Sequence, residues 1–210
     1  MYRLYWSKMT GVIAPQIMLE EIGVEYEKIV VDLEKEANFE PEFLAVNPMA
    51  QIPTLELSDG TVMTESAAMV LHITDCHPEA QLAPLPGSVE SAIFQRWLIF
   101  MAVSLYTSDL RLIYPDQFTN DANGEDGVMA SGRADMDRFF GILNDALDPG
   151  PYLLGQIFSA VDIYLWMLAG WHPDPEKLME MNPRIEKLVK LVQERPVVAR
   201  VWAEHNQTAQ

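Results

Sequence analysis

The chain has 210 residues, 49% hydrophobic and 21% charged, enough apolar side chains to bury a core and too many for a disordered chain. Fourteen Lys and Arg against thirty-one Asp and Glu give a formal charge of −17, which excludes general binding to phosphate backbones or anionic lipid surfaces. A single cysteine, Cys76, excludes an intrachain disulfide framework and a Cys-based zinc site, and His72, His77, His172 and His205 lack metal spacing, so no metal is expected.

In chain order, Tyr2–Trp6 is a short aromatic run suited to a buried strand. Ile13, Ile17, Met18 and Ile22 recur at helical spacing, and Gly23 is a helix stop. Tyr26–Val31 is β-branched and predicts a strand, and a helix is expected around Phe39–Val46, ending before Asn47-Pro48. Pro53–Leu57 and Thr61–Met63 flank Ser58-Asp59-Gly60, a hairpin signal, and Thr64 to about Cys76 is helical again. The order βαβ–α–ββ–α predicts an α/β domain over 1–80.

Residues 81–88 contain LAPLPGS, which continues neither helix nor strand and reads as a linker. An all-α domain is expected over 89–210. One long amphipathic helix runs from Glu90 to about Tyr114, a polar loop covers Gln117–Gly127, and a partner helix spans Val128–Leu147. The DANGED stretch in that loop has a misplaced glycine and glutamate for a calcium loop. Further helices are expected over about Ala160–Ala169, Pro183–Glu194 and Pro196–His205. No uninterrupted apolar run exceeds seven residues, as from Trp97 to Val103, far short of the ~20 that span a bilayer. With no secretory signal at the MYRLYWSKMT start, a cytoplasmic location is expected.

Three stretches carry chemistry. Pro53 leads a strand, where a missing ladder donor is tolerated. Ser66 stands at a helix start, where free N–H groups and the dipole favour an anion; Thr64 as cap and Glu65 as dipole complement read the same residues structurally. Ser159 and Asp162 have capping-box spacing, a structural role.

Residues 47–73, NPMAQIPTLELSDGTVMTESAAMVLHI, resemble the glutathione-binding half of the cytosolic glutathione transferases. GQIFSAVD at 155–162 resembles the buried motif of the family's helical domain, and length and linker position agree. Through APQIMLEE and RWLIFMAVSLY the chain is most similar to bacterial Beta-like classes, but the position of their loop cysteine is Gly11. The resemblance implies a thioredoxin-like domain before the helical one, a homodimer, and glutathione as co-substrate with a small apolar electrophile. It implies a cis Ile52–Pro53 bond, with Ile52 pairing to the tripeptide backbone. Gln51, Glu65, Ser66 and Lys35 are implied as further glutathione contacts. Met101, Tyr106 and Arg111 are implied at the electrophile pocket, where the Beta-like asparagine and histidine are replaced by Ile99 and Tyr106.

With cysteine excluded, the thiol-activating group is expected to be Thr10, matching the serine of Theta- and Delta-type loops, ahead of Ser7 and of Tyr5, which aligns with the Mu-type tyrosine. Another glutathione-dependent enzyme (peroxidase, dehalogenase, isomerase or ether lyase) and a non-catalytic binding protein of the same fold are the alternatives.

Overall fold

The computed structural model describes residues 1–121 and 123–207; Ala122 of the DANGED stretch and 208–210 at the end of the expected helical domain lie outside the described residues. The chain forms two compact units, Met1–Leu82 with Glu194–Gln210, and Ala83–Gln193.

The first unit is built on a mixed four-stranded sheet of order β2-β1-β3-β4, with β1 Tyr2–Trp6, β2 Tyr26–Val30, β3 Thr54–Glu56 and β4 Val62–Met63. β1 runs parallel to β2 and antiparallel to β3, in the register Leu4↔Leu55 and Tyr5↔Thr54. The strand period of two therefore gives Leu4 and Leu55 one face and Tyr5 the other. On the first face Leu4 and Leu55 are fully buried, as are Ile13, Ile17 and Met18 of α1 (Ile13–Ile22) and Met69, Val70 and Ile73 of α3 (Ser66–Cys76). On the second, Tyr5 clusters with Val31 and with Phe43 of the short α2 (Pro41–Leu44). α1 ends at Gly23, φ 79°, a left-handed cap that a side chain would strain.

One expectation is corrected here. The helix foreseen over Phe39–Val46 is only Pro41–Leu44, because Glu40 is extended before a proline at the first helical position, and 3-10 turns at Leu33–Lys35 and Ala37–Phe39 fill the approach. The terminal helix α10 (Pro196–His205) packs with the first unit. Its buried face is Val198, Val201 and His205, and it packs on α1. Arg195 forms a two-bond pair with Glu21 at 2.9 and 2.8 Å, and Arg200 meets Glu20 at 2.7 Å.

The second unit is helical: α4 Val89–Phe100, α5 Tyr106–Ile113, α6 Glu125–Ala146, α7 Ala160–Gly170, α8 Pro175–Met181 and α9 Pro183–Gln193. The long helix expected over 90–114 is present as α4 and α5, joined through a π-helical segment, Met101–Leu105. α5 and α6 meet closely at Gly132, where a Cβ would stand 2.9 Å from Ser108 O and 3.0 Å from Arg111 Cβ. Apart from Asp162 in its first turn, α7 is apolar on every face and buried from Ala160 to Ala169. α8 was not foreseen, although Asp174 caps it through Lys177 N–H at 3.1 Å and Pro175 occupies its first turn.

Asp162 organises the start of α7. Its carboxylate accepts from Leu153 N–H at 2.9 Å, Ser159 N–H at 2.8 Å and the Ser159 hydroxyl at 3.2 Å. Burial pushes this carboxyl up to about 7, against those three bonds. Asp162→Ala leaves two buried N–H groups without acceptors, at ~1–3 kcal/mol each. Urea unfolding should therefore show a loss of about 2–6 kcal/mol, with Asp162→Asn intermediate because it keeps one acceptor oxygen.

Candidate functional site

The segment Asn47–Pro53 is shaped by two buried amides. Asn47 donates from Nδ2 to Gln51 O and Thr54 Oγ1, both at 2.9 Å, and accepts Met49 N–H at 3.0 Å. Asn38 donates to Ala50 O at 2.9 Å, holding a residue at φ 55°. The Ile52–Pro53 peptide is cis, as the resemblance implies, and Pro53 is buried directly before β3. Ile52 packs its side chain on the Tyr5–Phe43 cluster and pairs with no backbone group among the described residues. Gln51 is exposed beside it.

α3 begins at Ser66, which is buried, and the residue before it, Glu65, is exposed with φ 65° and ψ 105°. A non-glycine residue held at positive φ is a costly backbone state, one that clusters at ligand sites. Over its 11 residues α3 directs the positive end of its dipole at this corner. Glu65 and Ser66 thus share one short segment, and the cis proline with Ile52 lies at the head of the central antiparallel strand.

The three hydroxyl candidates for thiol activation have different surroundings. Tyr5 is buried and its hydroxyl donates to Glu56 Oε2 at 3.3 Å. Because Glu56 pairs with Arg3, the phenol leans back toward the start of β1, away from the following loop. Burial first, and the Glu56 carboxylate, hold its pKa above the ordinary 10.0 against the pull of Arg3. Thr10 Oγ1 donates its single proton to Ser7 O at 2.9 Å and accepts Val12 N–H at 3.4 Å. This hydroxyl is engaged in shaping the start of α1. Ser7 is buried, and its hydroxyl has no protein partner among the described residues.

Lys35 is exposed and its ammonium pairs with Asp32 Oδ2 at 2.6 Å, which raises its pKa. In the second unit Met101 is fully buried in the core, and Arg111 ties α5 to α6 through Asp135 at 2.8 Å and Ser131 at 3.2 Å. Arg111 is thus held as a tie between helices. Tyr106 is half-buried, its ring 5.2 Å from that of Trp171. Trp166 is core. No group of three or more His, Cys, Asp or Glu that could hold a metal ion occurs among the described residues. No helix among them is long and apolar enough to cross a membrane.

The support of this loop comes from the far end of the chain. Met9, at φ 54°, donates its N–H to Nδ1 of the buried His205 at 3.0 Å. His205 Nε2 lies 3.0 Å from Oε1 of the fully buried Gln16, which also accepts Trp6 Nε1–H at 2.7 Å. No local signal links residues nearly two hundred positions apart; a glutamine on the apolar face of α1 was the one clue.

The first unit is a thioredoxin-like α/β domain with a proline-led strand and a helix N-terminus at one corner, and the second unit is helical. Residues 15–76 match the family description "Glutathione S-transferase, N-terminal domain", and 113–205 match "Glutathione S-transferase, C-terminal domain". The chain is 27% identical to glutathione S-transferase GstA of Escherichia coli O157:H7, over 93% of this chain and 94% of that protein. It is 30% identical to BphK, a bacterial GST solved as a ternary complex, with TM-score 0.85, covering 98% of this chain and 100% of that one. A sphingomonad glutathione S-transferase complexed with glutathione is 26% identical, with TM-score 0.83 and the same coverage. The chain belongs to the glutathione S-transferase family.

Burial holds the His205 pKa at about 4, below its ordinary 6.5. The unfolded chain takes up this proton below pH 6.5 while the folded one refuses it, so the contribution is whole above 6.5 and drains away as pH falls toward about 4. Between about pH 7 and about pH 5, urea unfolding should show His205→Asn losing less stability than the parent, by about 2 kcal/mol. Equal losses would contradict a neutral, buried imidazole.

Proposed function

We propose that this protein is a cytoplasmic, homodimeric glutathione transferase that holds the glutathione thiol as thiolate and directs it onto a small apolar electrophile. The thiol releases its proton, the sulfur pair forms an S–C bond, and the electrophile's leaving group departs with its bonding pair. The observation that carries the reading is the corner formed by unpaired Ile52 beside cis Pro53 and buried Ser66 at the head of α3. In this reading the cysteinyl backbone pairs with Ile52 like an added strand. The γ-glutamyl carboxylate takes N–H and hydroxyl bonds from Ser66, Glu65 accepts from its ammonium, and Gln51 reaches the tripeptide backbone. Lys35 serves the glycine carboxylate on leaving Asp32. Tyr106 is the half-buried candidate for contact with the electrophile.

For the thiol, Ser7 supersedes Thr10 as our candidate, because its hydroxyl is uncommitted while that of Thr10 is bonded to Ser7 O. A hydrogen bond to the charged form lowers a thiol pKa, and one unit corresponds to ~1.4 kcal/mol.

Retention on immobilised glutathione followed by a chromogenic electrophile assay tests the reading. Turnover supports a transferase, binding without turnover points to a scaffold protein of this fold, and no binding rejects both. Ser66→Ala should weaken glutathione by a few-fold to about a hundredfold in calorimetry, since a charge-assisted bond of ~1.5–3 kcal/mol is lost. An unchanged affinity rejects that assignment. Ser7→Ala should raise the bound thiol pKa by about one unit, read from thiolate absorbance against pH, with affinity nearly intact. If Thr10→Val shifts the curve and Ser7→Ala does not, Thr10 is the donor; if neither does, backbone N–H groups hold the sulfur.

A further inference from the structure

Gln16 is fully buried, and its amide uses every hydrogen-bonding position it has. Nε2 donates to Glu204 Oε2 at 2.7 Å and to Glu20 Oε1 at 3.0 Å. Two carboxylates accept only from an N–H₂, so they fix which end of the amide is nitrogen. Oε1 therefore faces Trp6 Nε1–H and His205 Nε2. An oxygen there requires a proton on His205 Nε2, and in a neutral ring this leaves Nδ1 with a lone pair, the acceptor that Met9 N–H meets at 3.0 Å.

We propose that His205 is a positioning residue for thiol activation: its Nδ1 lone pair, set by Gln16, holds Met9 N–H and thereby the path of the loop from Ser7 to Val12. The inference rests on the transferase reading above. Met9 is the residue of this loop at positive φ, so its N–H is where an outside acceptor fixes the turn. His205 is 1% exposed and its ring lies 4.9 Å from that of Trp6, tilted by 43°, so the imidazole is held in place. The ionisable groups around the cluster come from three elements: Glu20 on α1, Tyr26 and Lys28 on β2, and Arg200 and Glu204 on α10. Lys28 and Arg200 pair with Glu204 and Glu20, and Tyr26 donates to Glu20 at 2.8 Å, which keeps both carboxylates available as acceptors. Burial holds the ring neutral down to about pH 4, so the lone pair persists through the range in which a thiolate is useful.

Two variants separate positioning from mere packing. In His205→Asn the Oδ1 atom replaces Nδ1 as acceptor for Met9 N–H, whereas His205→Gln carries its polar end out to the Nε2 position and leaves Met9 without one. Expected for the Gln variant are a Met9 amide exchanging about tenfold faster and a bound-glutathione thiol pKa about one unit higher, with affinity within about threefold of the parent. The Asn variant should match the parent in all three. On the parent itself, imidazole nitrogen shifts should report a protonated Nε2 and a bare Nδ1, a measurement that stands even if the Gln variant fails to fold. A protonated Nδ1 overturns the proposal. So does a Gln variant whose thiol titrates like the parent's, or an Asn variant as impaired as Gln. If Met9 responds as expected but the parent shows no thiolate on adding glutathione, the transferase reading has failed and the clamp is structural only.

Discussion

A buried amide leaves no room for compromise: each of its hydrogen bonds that goes unmade costs more than a made one contributes. Gln16 sits under that constraint, and the first unit is arranged to satisfy it. Trp6 comes from β1, Glu20 from its own helix, Glu204 and His205 from the last helix, so two consecutive elements and one from far along the chain are brought to one carboxamide. The loop from Ser7 to Val12 inherits its path from this arrangement. Besides the exposed Lys8–Glu34 ion pair at 2.9 Å, its long-range polar tie is the one that the Met9 backbone makes to the buried His205.

The sheet register makes a second division of labour. Leu4 and Leu55 lie opposite one another and are sealed from water, while one residue later Tyr5 and Thr54 turn to the other side. On that side Tyr5 closes over Phe43, and its hydroxyl is drawn to Glu56 by the geometry of the ladder. The hairpin from Thr54 to Met63 and the helix after it follow without a long connection, so the strand headed by Pro53 and the first turn of α3 are fixed by short segments. Asn47 does the same for the approach to Pro53, its side chain replacing ladder bonds that an irregular segment cannot make.

What could be read in the chain beforehand was whatever is written locally. Gly23 ends α1, Ser58-Asp59-Gly60 turns the hairpin, and Ser159 with Asp162 opens α7, because each acts within a few residues of itself. Asp174-Pro175 was equally local and should have announced α8. The π-helical segment carried no such mark, since its register is set by what α4 and α5 pack against. Pro53, Glu65 and Ser66 were legible as a motif, but the occupancy of a hydroxyl was not. That Arg111 is bonded to Asp135 depends on where a distant neighbour ends up in space, and although Thr10 with Ser7 O and Lys35 with Asp32 are contacts across three residues, which of several rotamers each side chain takes is not written in the sequence. The affiliation of α10 was hidden for the same reason: its apolar stripe is ordinary, and only the partner across the gap in sequence says which unit it completes.

Because the chain leaves the first unit after Leu82 and returns to it at Glu194, the helical unit is an insertion in the α/β one. During synthesis the amino-terminal strands and helices emerge first, yet the amide of Gln16 and the N–H of Met9 must wait for residues near the far end of the chain. The helical unit has all of its residues before that point and is free to condense earlier. The earliest-made part of the molecule is therefore the last to be finished, and until α10 is made the turn beside Ser7 lacks its His205 acceptor.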